Sequence, residues 1–136
     1  MIVIDASALT KYLLHEEGWE KIGHYLYENR PLYSVDHLLK EAGNALWRHC
    51  CVTQIIDCKI SLELYQALQC LISAGVILLK PELDYLNEAF KIAIEGRITV
   101  YDALYVALAR ELGELLTCDE KQAKTAEKYS VKIYWV

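Results

Sequence analysis

Four acidic residues far apart in the sequence could act together: Asp5, Glu41, Asp102 and Asp119. Gathering several carboxylates is unfavourable, because like charges repel and removal from water adds to the cost. A hard divalent cation removes that cost, and Mg²⁺ or Mn²⁺ takes oxygen ligands while keeping some of its waters. Centres of this kind commonly hold two ions, about 3.5–4 Å apart, and hydrolyse phosphodiesters in nucleases.

Three of the four acids also have a local structural explanation, and the sequence leaves the alternatives open. Asp5 follows the apolar run IVI at 2–4, and Asp119 follows ELLTC at 114–118, so each could simply cap the next helix. Thr99 and Asp102 have the spacing of a capping box, although that box prefers Glu or Gln at its last position. The capping explanation and the shared centre are both compatible with these positions.

Glu41 lies in a segment with helical spacing, HLLKEAGNALWRH. Glu41, Asn44 and Arg48 form one polar stripe along that helix, which is typical of a solvent-exposed face. The residues beside the stripe are small, however, and Gly43 costs about 1 kcal/mol relative to alanine within a helix. This composition favours a close approach of another group to Glu41.

Short apolar runs separated by helical patterns predict the elements that position these acids. The predicted strands lie at 2–5, 32–35, 76–79, 114–118 and 131–136. Near-continuous apolar strands joined by helices indicate a parallel sheet covered on both faces. We therefore predict a single domain over residues 1–136, an α/β/α three-layer sandwich with a central parallel sheet of four to five strands. Since ligands bind outside the carboxyl ends of such strands, Asp5 and Asp119 should project at one edge.

The helix boundaries follow from capping residues. Ser7 is predicted to cap the first helix, and Asp36 a long helix that continues through Cys51. Gly75 and Gly96 are predicted to end the helices at 59–75 and 82–96, and Gly113 to end the helix that begins near Thr99.

Composition restricts the class of protein. The apolar fraction is 54% and the charged fraction 24%, which excludes a disordered chain. No apolar stretch approaches the roughly 18 residues of a membrane span, and no signal peptide is indicated, so a cytoplasmic protein is expected. The net charge of −5 argues against binding nucleic acid through overall electrostatics.

Five cysteines without a CxxC pair predict no disulfide framework. The run HCC at 49–51 suggests zinc, but adjacent cysteines on a helix point about 100° apart and no second ligand pair has the required spacing. A structural zinc site is therefore not predicted.

Four segments, VIDASAL, KEAGNALWR, ITVYDALYVALA and LLTCDEKQAKTA, resemble the PIN-domain family in their order and spacing. They are most similar to archaeal ribonuclease toxins of the VapBC toxin–antitoxin type, and the resemblance covers nearly the whole chain. The family's metal-binding acids fall on the four acids named above, its small hydroxyl on Ser7 and its following polar residue on Asn44. Thr99, Glu120 and Arg48 are placed around them without support from the family.

The resemblance implies endonucleolytic hydrolysis of RNA, dependent on Mg²⁺ or Mn²⁺, by a homodimer that a cognate antitoxin protein silences. Asp5, Asp102 and Asp119 would hold the metal, and Glu41 would contribute directly or through water. The alternative is a non-catalytic PIN-like module whose acidic pocket binds RNA or a peptide. A phosphate-binding glycine loop is absent, which argues against nucleotide hydrolysis of that kind.

Two groups of residues could serve RNA and protein partners. A basic rim is predicted from Lys40, Arg48, Arg97, Lys121 and Lys124, although scattered basic residues also serve solubility alone. Most aromatic side chains are expected to pack in the core or at its rim, but Trp19, Tyr25 and Tyr27 could instead form an exposed aromatic groove for an antitoxin helix or a second subunit.

Overall fold

A five-stranded parallel sheet forms the centre of the molecule in the computed structural model, which describes all 136 residues. Its strands are β1 (Ile2–Ile4), β2 (Leu32–Val35), β3 (Ile77–Lys80), β4 (Glu114–Thr117) and β5 (Lys132–Trp135). They are hydrogen-bonded in the order β3-β2-β1-β4-β5, and every neighbouring pair is parallel. The predicted α/β sandwich with a parallel sheet is confirmed.

Seven α-helices connect and cover the strands: α1 (Ala6–Leu13), α2 (Trp19–Glu28), α3 (His37–Trp47), α4 (Cys58–Ser73), α5 (Leu86–Gly96), α6 (Val100–Leu112) and α7 (Glu120–Glu127). Every residue from 103 to 109 is buried in α6, which packs against β1, β2 and β4. The small side chains of Ala103 and Ala107 allow this close approach to the sheet. None of the helices combines the length and apolar character that a membrane crossing requires.

Strand β1 lies at the point where the strand order reverses. Val3 pairs with Tyr33 of β2 on one side and with Leu115 of β4 on the other. The chain first builds the sheet outward through β2 and β3, and then returns to the opposite side of β1 for β4 and β5. Open parallel sheets form their ligand-binding crevice at such a reversal, outside the carboxyl ends of the strands. Residues that follow β1 and β4 are therefore the ones that line it.

Several predicted helix boundaries are wrong for identifiable reasons. The long helix predicted through Cys51 ends as α3 at Trp47, and residues Arg48–Val52 form a π-helical segment. Asp36 does not cap α3 with its side chain, because its carboxylate accepts a hydrogen bond from the Glu82 amide at 2.8 Å. The Glu82 amide belongs to a tight turn, Glu82–Asp84. Because of this turn, α5 begins only at Leu86.

Helix α5 ends at Gly96 as predicted, but the residue that takes the left-handed conformation there is Arg97, with φ of 52°. Gly96 instead lies against α7, where a Cβ atom would be 2.8 Å from Cγ2 and 3.1 Å from Oγ1 of Thr125. Thr125 is buried and donates a hydrogen bond to the Lys121 carbonyl at 2.8 Å, so it cannot easily move away. The glycine is needed for helix packing.

Gly96→Ala is expected to destabilise the protein by about 1–3 kcal/mol, the usual cost of overpacking, despite the better helix propensity of alanine. The free energy of unfolding from urea denaturation measures the effect. Thr125→Ser removes the methyl group nearest to the new Cβ, so the double variant should recover part of the loss. The explanation is contradicted if the effects of Gly96→Ala and Thr125→Ser simply add, so that the double variant recovers none of the loss.

Candidate active site

All four acids line one cavity of about 380 Å³ at the carboxyl edge of the sheet. Asp5 follows β1, Asp119 follows β4, Glu41 lies on α3, and Asp102 lies in the first turn of α6. No three of these acids bring their oxygens within 4.8 Å of one another. The carboxylates thus surround a common space without closing into a tight cage.

Asp5 is the most buried of the four, with 1% of its surface exposed. Its Oδ1 accepts the Ala8 amide at 2.9 Å, and the Ser7 hydroxyl contacts both carboxylate oxygens at 2.8 and 2.9 Å. The Thr117 hydroxyl donates to Oδ2. Burial raises the pKa of Asp5 to about 6, the three donors partly oppose that rise, and the charge of Asp119 adds to it.

Asp5, and not Ser7, caps α1. Asp5 is therefore a helix cap, as one of the two interpretations predicts. The same carboxylate also lines the cavity, so the two interpretations are compatible. Ser7 lies within α1, where its hydroxyl holds Asp5 and accepts the Cys118 amide at 3.2 Å. Asp119 has the same two roles. It lines the cavity, and its Oδ1 caps α7 by accepting the Gln122 amide at 2.9 Å.

Thr117 connects the two strand-end acids, and sequence analysis did not single it out. It is fully buried at the end of β4, donates to Asp5 and accepts the Asp119 amide at 2.9 Å. The only signal in the sequence is a hydroxyl at the end of an apolar strand, and threonine is common in strands for other reasons.

The ionisation of Glu41 depends on its burial and on the charges of the other three acids. Burial raises its pKa to about 7, and the charges of Asp102, Asp5 and Asp119 contribute to that rise. Oε1 lies 2.9 Å from Nε2 of His37, a buried residue one turn earlier on α3. His37 is a second contact that sequence analysis missed.

The His37 ring is best described as neutral, because burial first and the Lys40 charge second lower its pKa. Its Nδ1 has no hydrogen-bond partner. We therefore assign the proton to Nε2, from which it is donated to Glu41, leaving only a lone pair unpaired. The ring stacks on Tyr101 with centroids 5.0 Å apart, which fixes its orientation.

Asp102 lies in the first turn of α6, as the sequence indicates. Its amide donates to the Thr99 hydroxyl at 3.1 Å, so Thr99 is the cap. Burial and the charge of Asp119 raise the pKa of the Asp102 carboxyl, while Thr99 lowers it. Beside it, Tyr105 lines the same cavity with a buried hydroxyl that has no hydrogen-bond partner.

A second cavity of about 760 Å³ adjoins the first and shares Glu41 and Asp102 with it. Asn44, Arg48 and Thr99 line this second space, so the structure brings these predicted residues near the acids. The close approach expected at Gly43 is present, but it is helix packing against Tyr65 of α4, whose ring would lie 3.1 Å from a Cβ at Gly43.

Glu120 does not belong to the site. It is exposed on α7 and pairs with Lys124 at 2.8 Å, so both side chains serve a surface ion pair. Of the predicted basic rim, Lys40 and Arg48 line the second cavity, and Lys11, which was not predicted, lines the first.

The predicted aromatic groove is not formed by its three residues. Trp19 packs on Tyr12 and stacks on His15 with centroids 3.9 Å apart. Tyr25 contacts Tyr134, and only Tyr27 stays largely exposed, at 73%. The rings of Trp19 and Tyr25 are therefore packed within the molecule.

The residues of the first cavity fit a hard divalent cation. Four carboxylates offer oxygen ligands only, and the pKa values of three of them are raised, mainly by burial and partly by the charge of the neighbouring carboxylates. Their wide spacing suits Mg²⁺ or Mn²⁺, because such ions keep several waters and need few direct protein ligands.

Several known proteins resemble this chain over nearly its whole length. The chain is 32% identical over 124 residues to Ribonuclease VapC3 of Pyrobaculum aerophilum, covering 90% of this chain and 92% of that protein. It is 29% identical over 132 residues to Exonuclease VapC9 of the same organism, covering 96% and 89%. The crystal structure of PAE2754 from Pyrobaculum aerophilum superimposes with a TM-score of 0.68 at 25% identity, covering 98% of this chain and 92% of that one. The family model of the PIN domain matches residues 2–128, and the chain therefore belongs to the PIN domain family.

Proposed function

We propose that this protein is a metal-dependent endoribonuclease that hydrolyses RNA phosphodiesters as the toxin of a toxin–antitoxin pair. The observation that carries the proposal is the shared cavity of Asp5, Glu41, Asp102 and Asp119, in which burial and mutual repulsion raise the pKa of three carboxyl groups. A relative named as a ribonuclease over nearly the same length supports it.

Asp5, Asp102 and Asp119 would hold Mg²⁺ or Mn²⁺, with Glu41 contributing directly or through water. The ion supplies Lewis-acid stabilisation of the phosphate charge and a nucleophilic water at neutral pH. With a cation present, the raised pKa values fall, so the carboxylates serve as ligands at neutral pH. The chain's own contribution is to fix their orientation.

Several residues provide that orientation and the contacts to substrate. Ser7 and Thr117 hold the Asp5 carboxylate, and His37 holds Glu41 through Nε2. Lys11 lines the first cavity and Arg48 the second, so phosphates entering from the larger space meet cationic side chains on the way to the acids. We assign the adjoining cavity to the RNA strand.

A circular single-stranded RNA tests the proposed activity. An endonuclease cuts a circle, whereas an exonuclease needs an end, and one of the relatives is named as an exonuclease. We expect Mg²⁺ to support opening of the circle, and EDTA and Asp102→Asn to abolish it. Glu63→Gln, the same kind of neutralisation at an exposed position of α4, should leave the rate unchanged.

Cleavage confined to linear RNA would contradict the endonucleolytic part of the proposal. Binding of RNA without cleavage in any divalent metal would instead support the non-catalytic module. Activity that survives both EDTA and Asp102→Asn would exclude the acidic cavity as the catalytic centre.

Thr117→Val is expected to reduce kcat/KM about 10- to 100-fold, the usual cost of losing a group that orients a metal ligand. Valine keeps the shape of threonine but cannot donate to Asp5 or accept the Asp119 amide. Thr117→Ser keeps the hydroxyl and should retain most of the activity. Similar losses in both variants, measured with folding verified by circular dichroism, would show that the methyl group matters as much as the hydroxyl and would contradict a specific role of the hydroxyl.

A cognate antitoxin and a second copy of this chain are the proposed protein partners. We expect the isolated protein to sediment as a dimer at micromolar concentration, and the antitoxin to block RNA cleavage when it binds. A monomer at that concentration would contradict the dimer and leave the nuclease proposal standing.

A further inference from the structure

Three cysteines outside the acidic cavity lie close together in space. Sγ of Cys50 is 3.4 Å from Sγ of Cys51 and 3.3 Å from Sγ of Cys58, and all three sulfurs lie within 4.8 Å of one another. Cys51 and Cys58 are exposed, and Cys50 is partly so. Neither of the remaining cysteines, Cys70 and Cys118, belongs to this cluster.

The backbone around the cluster explains why the sequence did not predict it. Adjacent cysteines on a regular α-helix diverge, but Cys50 and Cys51 lie in the π-helical segment Arg48–Val52 that follows α3. π-Helical turns of this kind are rare and occur frequently at functional sites. Cys58 then opens α4, and the intervening residues bring it back beside Cys50.

Local hydrogen bonds fix this return of the chain. The carbonyl of His49 accepts the amides of Ile55 and Ile56 at 2.8 and 3.3 Å, while Gln54 takes a left-handed conformation with φ of 56°. Asp57 caps α4 by accepting the Ile60 amide at 2.8 Å. A non-glycine residue in the left-handed region persists where its surroundings demand it, which agrees with a turn built to a fixed shape.

Helix α4 is also joined directly to α3, the helix that precedes the π-helical segment. The Ser61 hydroxyl of α4 donates to the Leu46 carbonyl of α3 at 3.2 Å in a buried position. The His49 ring is not part of the cluster, and its Nδ1 lies 2.8 Å from the Ala45 carbonyl. The three thiols therefore lie on a connection between α3 and α4 whose shape is stabilised by hydrogen bonds.

Three sulfur donors at these distances suit a thiophilic cation. Zinc–sulfur bonds of about 2.3 Å in tetrahedral geometry separate the sulfurs by about 3.8 Å, between the present closest distances and the 4.8 Å limit. We propose that Cys50, Cys51 and Cys58 bind one Zn²⁺ ion, with solvent in the fourth position. Binding displaces the thiol protons to solvent, and the ion ties the start of α4 to the segment after α3.

This site is chemically separate from the acidic cavity. Soft thiolates select zinc, whereas carboxylates and water suit magnesium and manganese. The two sites can therefore be loaded and tested independently, and failure of one proposal does not affect the other.

Cadmium, a zinc-like probe, reports thiolate binding directly through its sulfur-to-metal charge-transfer absorption in the ultraviolet. We expect the reduced, metal-free full-length protein to develop this band until one equivalent of Cd²⁺ is bound, and Zn²⁺ but not Mg²⁺ to remove it. Cys58→Ser and Cys50→Ser should weaken binding at least tenfold. Cys70→Ser, which changes an exposed cysteine of α4 outside the cluster, should not.

Thermal unfolding provides a readout independent of the spectrum. One equivalent of Zn²⁺ should raise the Tm of the wild type and of Cys70→Ser, and leave that of Cys58→Ser unchanged. The proposal is overturned if the reduced protein shows no charge-transfer band, or if Cys58→Ser keeps it at full strength. It is also overturned if Cys50 and Cys58 form a disulfide that persists in reducing buffer.

Discussion

Asp5→Asn is expected to lower magnesium-dependent RNA cleavage about 1000-fold while making the metal-free protein more stable at pH 8. A bound metal contributes several kcal/mol to stabilisation of the transition state, and each 1.36 kcal/mol corresponds to a factor of ten in rate. Asparagine keeps the size of aspartate but loses the charge that attracts the ion. Single-turnover cleavage of RNA at saturating Mg²⁺ measures the first effect.

The gain in stability has the same physical origin as the loss of activity. Asp5 is fully buried, and its pKa rises from 3.8 to about 6, so ionisation in the folded state costs about 3 kcal/mol relative to the neutral form. A neutral asparagine avoids most of this cost, as expected where function and stability conflict. Urea denaturation in EDTA measures it.

Glu63→Gln serves as the control for Asp5→Asn as well, since it removes one negative charge from an exposed position. It should change neither cleavage nor stability appreciably. A variant Asp5→Asn that is less stable than wild type in EDTA would contradict this account, and would indicate that the hydrogen bonds accepted by the Asp5 carboxylate outweigh the cost of burying its charge.

The sequence could predict the sheet and the edge at which Asp5 and Asp119 emerge. Buried parallel strands are near-continuous apolar runs, and parallel order alone places their carboxyl ends together. Asp102 and Glu41 were placed on helices correctly, since α6 and α3 carry them. What no local pattern contained was the contact between residues far apart in the chain.

Thr117 shows that limit most clearly. Its hydroxyl contacts a carboxylate 112 positions earlier, and nothing around Thr117 in the sequence distinguishes it from an ordinary strand residue. Gly96 is misinterpreted for the same reason, because its requirement comes from Thr125 on another helix and not from its own turn. Cys58 joins Cys50 and Cys51 only through a π-helical segment, which a 3.6-residue periodicity cannot predict.

The free energy of unfolding of the metal-free protein is expected to fall by about 4–6 kcal/mol between pH 4 and pH 8. The pKa of Asp5 rises from 3.8 to about 6, and that of Glu41 from 4.5 to about 7, both mainly through burial. The folded state therefore binds more protons than the unfolded state in this window, and its stability decreases as pH rises through it. Asp102 acts in the same direction, because its pKa is also raised.

His37 opposes this trend inside the window, because burial lowers its pKa from 6.5 and its contribution to stability therefore increases as pH rises towards that value. The pKa of Glu114 is lowered by Tyr134 and by the terminal amine, so its stabilising contribution is lost only below pH 4.5. Above pH 6.5, the ordinary pKa of histidine, the acids of the cavity should dominate the slope. Urea denaturation in EDTA at a series of pH values measures the free energy directly.

Divalent metal should reverse this decline where it is largest. A ligand that binds only the folded state at 100 times its Kd contributes about 2.7 kcal/mol, so Mg²⁺ at pH 8 should restore roughly half of the stability lost since pH 4. At pH 4 the same Mg²⁺ should have little effect, because protons occupy the carboxylates. Asp5→Asn should remove about half of the pH dependence in EDTA. A free energy that rises steadily from pH 5 to pH 8 in EDTA would show that the four acids are already neutralised by the protein itself, and a metal centre would then lack its physical basis.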